Sequence, residues 1–462
     1  MDITIILAAG EGTRMKSNKS KVLHKLLNHD ILEYVVDAAN ISDNAKTIVI
    51  AGENEKQIKE KFGNLIIKRQ HIGEQYPYGT GYAVSLAIEE IEDNDNVVVL
   101  NGDIPLLTRE SLLEFIKLHK DNNNSASVLS TILDDPTTYG RIVRENNEFE
   151  KIVEEKDANC DVKKIKEINT GIYAFRGKDL KEALSSLNTQ NSQGELYLTD
   201  CIEIIKNNLK KVGCYTFYDP NEFYGINNKY ELSRAEIIMQ ERINKKFMID
   251  GVIMHNPSMI RIDKDAKIGK DTEIYPGACI LGKSIIGENC IIKGSSRIDE
   301  SIIEDNVIID NSVIEKSHVE SGVDIGPFSH LRPKAHLKEN VHIGNFVEVK
   351  NAIVGENTKA GHLAYIGDAD LGKNINVGCG VIFVNYDGKF KHRSTIEDGA
   401  FIGSNANIVA PVHVEKEGYI AAGSTITNDV GSGMLSIERA SQKNIEGYVE
   451  KKKKRDKLKE EK

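Results

Sequence analysis

No run of apolar residues in this chain approaches the ~20 needed to cross a bilayer as a helix. Its start, Met1-Asp2-Ile3-Thr4, has neither the basic stretch nor the apolar core of an export signal, so the cytoplasm is the expected location. Cysteine is scarce. Cys160, Cys201, Cys214, Cys279, Cys290 and Cys379 fall at no CxxC spacing, which argues against a zinc ribbon or a disulfide framework and predicts buried thiols. Positive charge is also in deficit: 60 Lys and Arg stand against 70 Asp and Glu, a formal charge of −10, so nucleic acid is not the expected partner. One segment runs against that average. Lys451 to Lys462 holds eight basic and three acidic residues, which reads as a solvated, disordered tail. Contact with an anionic cofactor at the edge of the preceding domain is the sharper alternative.

What the sequence does have is a six-residue period. Ile262, Ile268, Ile274, Ile280, Ile286, Ile292 and Ile298 fall at strict spacing, as do Val313, Val319, Ile325, Leu331, Leu337, Ile343 and Val349, and later Ile396, Ile402, Ile408, Val414, Ile420 and Ile426. An α-helix, with period 3.6, and an amphipathic strand, with period 2, both fail to set one inward aliphatic at every sixth position over such a length. A parallel β-helix succeeds, because three hexapeptides close one triangular coil and coils stack at the ~4.8 Å strand spacing. Solenoids of this kind expose long flat faces and bury one by association, which predicts a homotrimer.

A chain of 462 residues exceeds one ordinary core. Ahead of the repeats, Ile3 to Leu7, Thr47 to Ile50 and Val97 to Leu100 read as buried strands, and segments near Ile31 to Ala39, Thr80 to Ile91 and Glu110 to His119 as intervening helices. Such β/α alternation predicts a mostly parallel, Rossmann-like sheet with ligands at the carboxyl ends of its strands. Leu232, Ala235, Ile238, Met239, Ile243 and Phe247 at helical spacing predict a connecting helix. The expected organisation is an α/β domain over 1–228, a linker helix over 229–249, a solenoid over 250–437 and a basic tail over 438–462.

The first strand runs into Ala8-Ala9-Gly10-Glu11-Gly12-Thr13-Arg14-Met15, with Lys21-Val22-Leu23-His24 close behind. Glycines in such a loop aim backbone N–H groups at phosphate oxygens, and Arg14 adds a charged fork. The loop has neither the Gly-Lys-Ser/Thr of a P-loop nor the third glycine of a dinucleotide fingerprint. It resembles the start of the sugar-nucleotide pyrophosphorylases, which join a nucleoside triphosphate to a sugar 1-phosphate. The resemblance implies that Arg14 and Lys21 hold the triphosphate, where concentrated positive charge offsets the repulsion between two phosphates. It implies that Asp103, in Asn101-Gly102-Asp103 at the tip of a strand, shares a Mg²⁺ with Asn227, both being hard oxygen donors. It further implies Leu7, Ala8, Ala9, Gly10, Gln70, Gly79 and Thr80 around the nucleotide, and Gly140, Glu154 and Asn169 around an N-acetylated sugar.

In the solenoid the period breaks after Phe383, where Asn385-Tyr386-Asp387-Gly388-Lys389-Phe390-Lys391-His392-Arg393 inserts a polar loop, and resumes at Ile396. A loop extruded from a coil is a usual place for function. Together with Lys359-Ala360-Gly361-His362, Arg332, Lys350, Ser404, Ala422 and Arg439, the whole pattern resembles the bacterial bifunctional GlmU family. Its amino half makes UDP-N-acetylglucosamine from UTP and N-acetylglucosamine 1-phosphate; its carboxyl half, a left-handed β-helix, acetylates glucosamine 1-phosphate with acetyl-CoA. The resemblance makes His362 the proton acceptor, a fitting choice because an ammonium group must lose its proton before it attacks a thioester. It offers Glu348 as an orienting partner. It assigns Arg332, Lys350 and Lys391 to the sugar phosphate, Tyr365, Asn376 and Asn385 to the amino sugar, and Asn385, Tyr386, Ser404, Ala422 and Arg439 to acetyl-CoA. A monofunctional nucleotidyltransferase with a structural or regulatory solenoid is the runner-up, and a non-catalytic regulatory subunit is the third reading.

Overall fold

The computed structural model describes residues 1–460 apart from 11, 42–44, 72, 74 and 190–193, so Glu11 of the glycine loop and the last two residues of the basic tail lie outside the described residues. Two compact units divide the chain, Met1–Arg242 and Ile243–Lys462.

In the first unit, β1 (Asp2–Ala8) is followed by a small hairpin, β2 (Lys25–Leu26) and β3 (His29–Asp30), and then by α1 (Ile31–Ala39), β4 (Lys46–Ala51), α2 (Glu55–Phe62) and β5 (Ile66–Arg69). After these come α3 (Thr80–Ser85), β6 (Asn96–Asn101), α4 (Arg109–Asp121), β7 (Ala126–Ile132), β8 (Arg141–Glu145) and β9 (Glu148–Val153). β10 (Glu167–Arg176), α5 (Gly177–Ser185), α6 (Leu198–Asn207) and β11 (Val212–Phe217) complete the core. The sheet order is β11-β7-β10-β6-β1-β4-β5, with the β8–β9 hairpin attached to β10. β1 runs parallel to β4 and β6, whereas β10 lies antiparallel between β6 and β7. The near-continuous aliphatic runs of β1, β4 and β6 suit strands covered on both faces. Alternation along β1 sends Ile3 and Ile5 into a core under α5 and α6, and Ile6 and Ala8 into a core under α1 and α4.

The helix expected from Thr80 to Ile91 is shorter. α3 ends at Ser85, whose hydroxyl donates to the Tyr82 carbonyl at 2.7 Å, and a separate 3₁₀ turn covers Ile88–Glu90. Bonds of the i→i−3 kind, Ala87 N–H to Val84 and Glu90 N–H to Ala87, tighten this stretch while keeping its aliphatics in the core. The connecting helix α7 spans Lys229–Ile249.

The second unit is a three-faced parallel β-helix. Its first face runs from Ile253–Met254 to Leu435–Ser436, its second from Arg261–Ile262 to Thr425–Ile426, and its third from Lys267–Ile268 to His413–Val414. The inward aliphatics are buried, with two corrections to the six-residue phase. Ile268 is half-buried, and Val313 is half-buried while its neighbour Ile314 takes the inward position. Ile298, Ile303, Ile309, Ile314 and Val319 are the inward residues here, so several sides of the triangle are one residue short.

Corners are turned by left-handed residues. Between the second and third faces these include Lys334, Asn351 and Asp368; between the first and second they include Phe328, Phe346 and Leu363, at φ 62°, 59° and 37°. Bulky side chains rarely adopt this conformation. The basic tail is not coil: α8 (Tyr448–Glu460) is a helix, exposed throughout except at half-buried Asp456. Lys, Arg and Glu are good helix formers, and no Gly or Pro follows Gly447 to interrupt them. Among the described residues, no helix is long and apolar enough to cross a membrane.

Candidate active sites

In the α/β unit, the carboxyl ends of β1 and β6 lie side by side, and the Gly102 N–H donates to the Leu7 carbonyl at 2.8 Å. The glycine loop then turns back over them. Gly12 sits at φ 64°, and a Cβ there would lie 2.8 Å from Lys21 Cβ, so only glycine lets Lys21 approach. Lys21 Nζ donates to Asp103 Oδ2 at 2.5 Å and to Asn227 Oδ1 at 3.2 Å, and Arg14 donates to the same Asn227 oxygen at 2.9 Å. Two backbone bonds steady the pair: Ile226 N–H to the Asp103 carbonyl, 2.9 Å, and Asn227 N–H to Glu231, 2.6 Å. A carboxylate oxygen and an amide oxygen thus flank one point where an ammonium cation stands. That donor set fits Mg²⁺, which takes a few protein oxygens and completes its shell with phosphate and water.

A cleft of about 230 Å³ opens from this point, lined by Leu7, Ala8, Ala9, Gly10, Lys21, Gln70, Gly79, Thr80 and Asp103 among others. Gln70 is buried and aims Nε2 at the Gly79 carbonyl, 3.5 Å away. Gly79 adopts φ 120° with its α-carbon pressed against the Leu196 backbone, and Tyr78 and Gly81 bracket Leu196 with two 2.8 Å bonds. Gly140, Glu154 and Asn169 also meet. The Asn169 N–H donates to the Gly140 carbonyl at 2.9 Å, Asn169 Nδ2 donates to Tyr173 at 2.7 Å, and a Cβ on Gly140 would lie 3.2 Å from Glu154 Oε2.

Burial, reinforced by Asp157 and Asp200, raises the Glu154 carboxyl above its ordinary value. Burial, with Glu203 and Asp157, pushes Asp200 up to about 6. Sequence reasoning missed Tyr78, Asn101 and Glu195 in the cleft, and Tyr139 beside Asp103. Asn101 alone had a signal, its place two residues before Asp103 at the end of β6.

In the solenoid the expected residues sort onto two corners. At the corner between first and second faces, strands His342–Asn345 and Lys359–His362 end in register, and His362 Nδ1 lies 2.9 Å from Asn345 Oδ1. The amide oxygen can only accept, so Nδ1 carries the hydrogen, and in the neutral form of this exposed imidazole the lone pair is on Nε2. Within the chain the imidazole is held by Asn345 and not by Glu348. Glu348 accepts instead from Arg332 at 2.9 Å.

Farther along the same corner, a ladder of turn bonds joins Gly380 to Leu363, Asn405 to Cys379 and Gly423 to Ser404, at 2.7, 2.7 and 2.8 Å. Arg439 closes it by donating to the Ala422 carbonyl at 2.7 Å. Asn376 lies on the first face, in register with Lys359.

The corner between second and third faces carries the cations. Arg332 and Lys350 follow strand residues Leu331 and Val349, and the extruded loop brings Lys391 beside Lys350. Lys391 first, then burial and Arg332, pull the Lys350 ammonium below its ordinary value, the signature of clustered like charge. Asp368, buried among them and missed in the sequence, accepts from Asn351 and, at 2.5 Å, from Asn385. Asn385 also reaches the Tyr365 hydroxyl at 3.3 Å. Asp387 braces the loop by accepting from the N–H groups of Lys389 and Phe390 and from His392, bonds that lower its carboxyl to about 2, while Tyr386 stays exposed. One face of the prism, the five residue steps from Asn345 to Lys350, separates the two corners by up to about 17 Å.

Residues 3–220 match the nucleotidyl transferase family, and residues 265–300 match the bacterial transferase hexapeptide (six repeats). Over nearly its whole length the chain is similar to proteins named "Bifunctional protein GlmU". The one from Clostridioides difficile (strain 630) is 49% identical over 453 residues, 98% of either chain. The one from Alkaliphilus oremlandii (strain OhILAs) is 47% identical over 97% of this chain and 98% of its own. The one from Geobacillus sp. (strain WCH70) is 46% identical over 96% of this chain and 97% of its own.

Proposed function

From the premise that this chain belongs to the bifunctional GlmU family, we infer an enzyme with two transferase activities. Its carboxyl half acetylates glucosamine 1-phosphate with acetyl-CoA. Its amino half transfers UMP from UTP to N-acetylglucosamine 1-phosphate, yielding UDP-N-acetylglucosamine and pyrophosphate. The observation that carries the reading is the presence of two separate charged constellations, Arg14–Lys21–Asp103–Asn227 and Arg332–Lys350–Lys391 with His362, in units of different fold. We assign 1–228 to the first activity and 250–437 to the second, joined by the helix over 229–249 and followed by the basic segment over 438–462.

In the nucleotidyl transfer, an oxygen of the sugar phosphate attacks the α-phosphorus of UTP, and the bond to the departing pyrophosphate breaks. Lys21 and Arg14 offset the repulsion between the two anions. Asp103 and Asn227 would hold Mg²⁺, which when bound supplies charge neutralisation to the phosphates. Leu7 to Gly10, Gln70, Gly79 and Thr80 line the nucleotide's place, and Gly140, Glu154 and Asn169 the sugar's.

In the acetyl transfer, His362 Nε2 takes a proton from the substrate ammonium, and the freed amine attacks the thioester carbonyl. The carbon–sulfur bond breaks, and the proton passes to the departing thiolate. Asn345 keeps the imidazole in the required tautomer. Arg332, Lys350 and Lys391 anchor the phosphate. Tyr365, Asn376 and Asn385 hold the amino sugar, and Asn385, Tyr386, Ser404, Ala422 and Arg439 lie along acetyl-CoA.

The base and the phosphate anchors occupy different corners of one prism. A single pocket forms when the second–third corner of one copy meets the first–second corner of the next, and three such contacts close a ring. The exposed, stacked rings of Phe328 and Phe346, 5.5 Å apart on the His362 corner, form an apolar ridge that such a contact covers. This supports a homotrimer with its acetyltransferase sites between neighbours. UTP and acetyl-CoA as co-substrates fit a cytoplasmic enzyme.

The test is incubation with glucosamine 1-phosphate, acetyl-CoA, UTP and Mg²⁺, following free thiol and pyrophosphate separately. Thiol release is expected without UTP, and pyrophosphate release only once the sugar is acetylated. Pyrophosphate from supplied N-acetylglucosamine 1-phosphate with no thiol release from the amino sugar would favour the monofunctional enzyme with a structural solenoid.

A further inference from the structure

On the third face of the solenoid, two imidazoles occupy one register position in successive coils. His318 pairs with His336, and the rings stack with centroids 4.5 Å apart and planes 14° from parallel. Three other solenoid histidines pair singly with an acid one coil earlier: His330 with Glu315, His342 with Asp324 and His413 with Glu397. Here two imidazoles meet two carboxylates. His318 Nε2 lies 2.8 Å from Glu304 Oε1, and His336 Nε2 lies 2.8 Å from Glu320 Oε1.

One ligand atom from each of His318, Glu320 and His336 lies within 4.8 Å of the other two. A tetrahedral ion with ~2.1 Å bonds needs about 3.4 Å between ligand atoms, a gap that side-chain rotation closes on a fixed ladder. Lys338 and His336 both reach Oε1 of Glu320. Ser321 donates to Glu304 Oε2 at 3.1 Å, which turns Oε1 toward His318.

Two imidazole nitrogens and a carboxylate oxygen are the donor set of Zn²⁺ and its first-row neighbours; Mg²⁺ prefers oxygen alone. We propose that His318, Glu320 and His336, with Glu304 in reach as a fourth ligand, form a Zn²⁺-class cation site that clamps three successive coils of the solenoid.

The test is a zinc titration of the metal-stripped full-length protein against a competing chromophoric chelator, with MgCl₂ present throughout. The protein is expected to bind one more Zn²⁺ per chain than a His318→Gln/His336→Gln variant, and zinc is expected to raise its melting temperature more than the variant's. Either single substitution should weaken that ion's binding at least tenfold, and His413→Gln should leave it unchanged. Glu320→Gln, which keeps both imidazoles, gives a second reading if the double variant fails to fold. Equal zinc stoichiometry and affinity in the unsubstituted protein and in the folded variants would overturn the proposal.

Discussion

The α/β unit and the solenoid both gather cations, but they do so by opposite means. In the α/β unit, Arg14 meets Asn227 across 213 positions of sequence and Lys21 meets Asp103 across 82, because parallel strands deliver remote loops to one sheet edge. In the solenoid, His362 meets Asn345 across 17 positions and Asn385 meets Asp368 across 17, one coil apart. A stack of coils does not fold back on itself, so groups on two of its corners stay a face apart. A crossed topology completes a pocket within one chain; in the proposed reading, a repeat presents half-sites along its length that a second copy completes.

The largest expected effect tests whether the regions are catalytically separate. His362→Ala should lower acetyl transfer by about 10²–10⁴-fold with pyrophosphate release from UTP and N-acetylglucosamine 1-phosphate intact, and Lys21→Ala should lower pyrophosphate release by about 10²–10³-fold with thiol release intact. Loss of both activities in either folded variant would break the comparison. Charging the apolar ridge comes next. Phe328→Asp with Phe346→Asp should lower the sedimentation mass and cut acetyl transfer by about 10²-fold, the loss of a positioned partner group, while uridylyl transfer persists.

A smaller effect belongs to the first unit alone. Gly79→Ala forces a Cβ into the Leu196 backbone at φ 120° and should destabilise this unit by about 1–3 kcal/mol. Thermal unfolding read separately for the two units should show the solenoid unmoved.

The smallest expected effect is in pH. Asp200, ordinarily near 3.8, is raised to about 6 in the folded chain, so its contribution to stability is present below the ordinary value and lost as pH rises through about 6. Asp200→Asn should therefore stabilise the protein at pH 7 by about 1 kcal/mol, a figure reduced for solvent screening at this half-exposed group, and change nothing at pH 3. A melting-temperature series across that range checks it.

Much of this was legible in the sequence where the signal was local. α1 and α7 follow from their apolar spacing, and β1, β4 and β6 from their aliphatic runs. The solenoid was legible as a period, but its phase was not: Val313 and Ile314 are both aliphatic, and a side one residue short moves the inward position without changing composition. The helix expected beyond Ser85 failed because apolar residues in a 3₁₀ turn mimic helical spacing.

The site residues came into view through resemblance, and their partners did not. Asn345 was hidden because coil stacking, not sequence proximity, sets it beside His362. Glu348, the partner the resemblance offered, accepts from Arg332 within its own chain. Asp368 reads in sequence as an ordinary turn acid, and only burial between Asn351 and Asn385 distinguishes it. The basic tail looked disordered by charge, while its helix follows from residue propensity.

The most direct measurement of the divided solenoid site is complementation between two inactive chains, His362→Ala and Lys350→Ala, each with its own affinity tag and isolated together as mixed oligomers. Each parent should be nearly silent in acetyl transfer, and the mixed trimers should recover about a third of the unsubstituted rate, because one interface in three of each mixed ring joins an intact corner from each chain. A mixture no more active than its parents would contradict the account, because it would place the base and the phosphate anchors of every working site on the same chain.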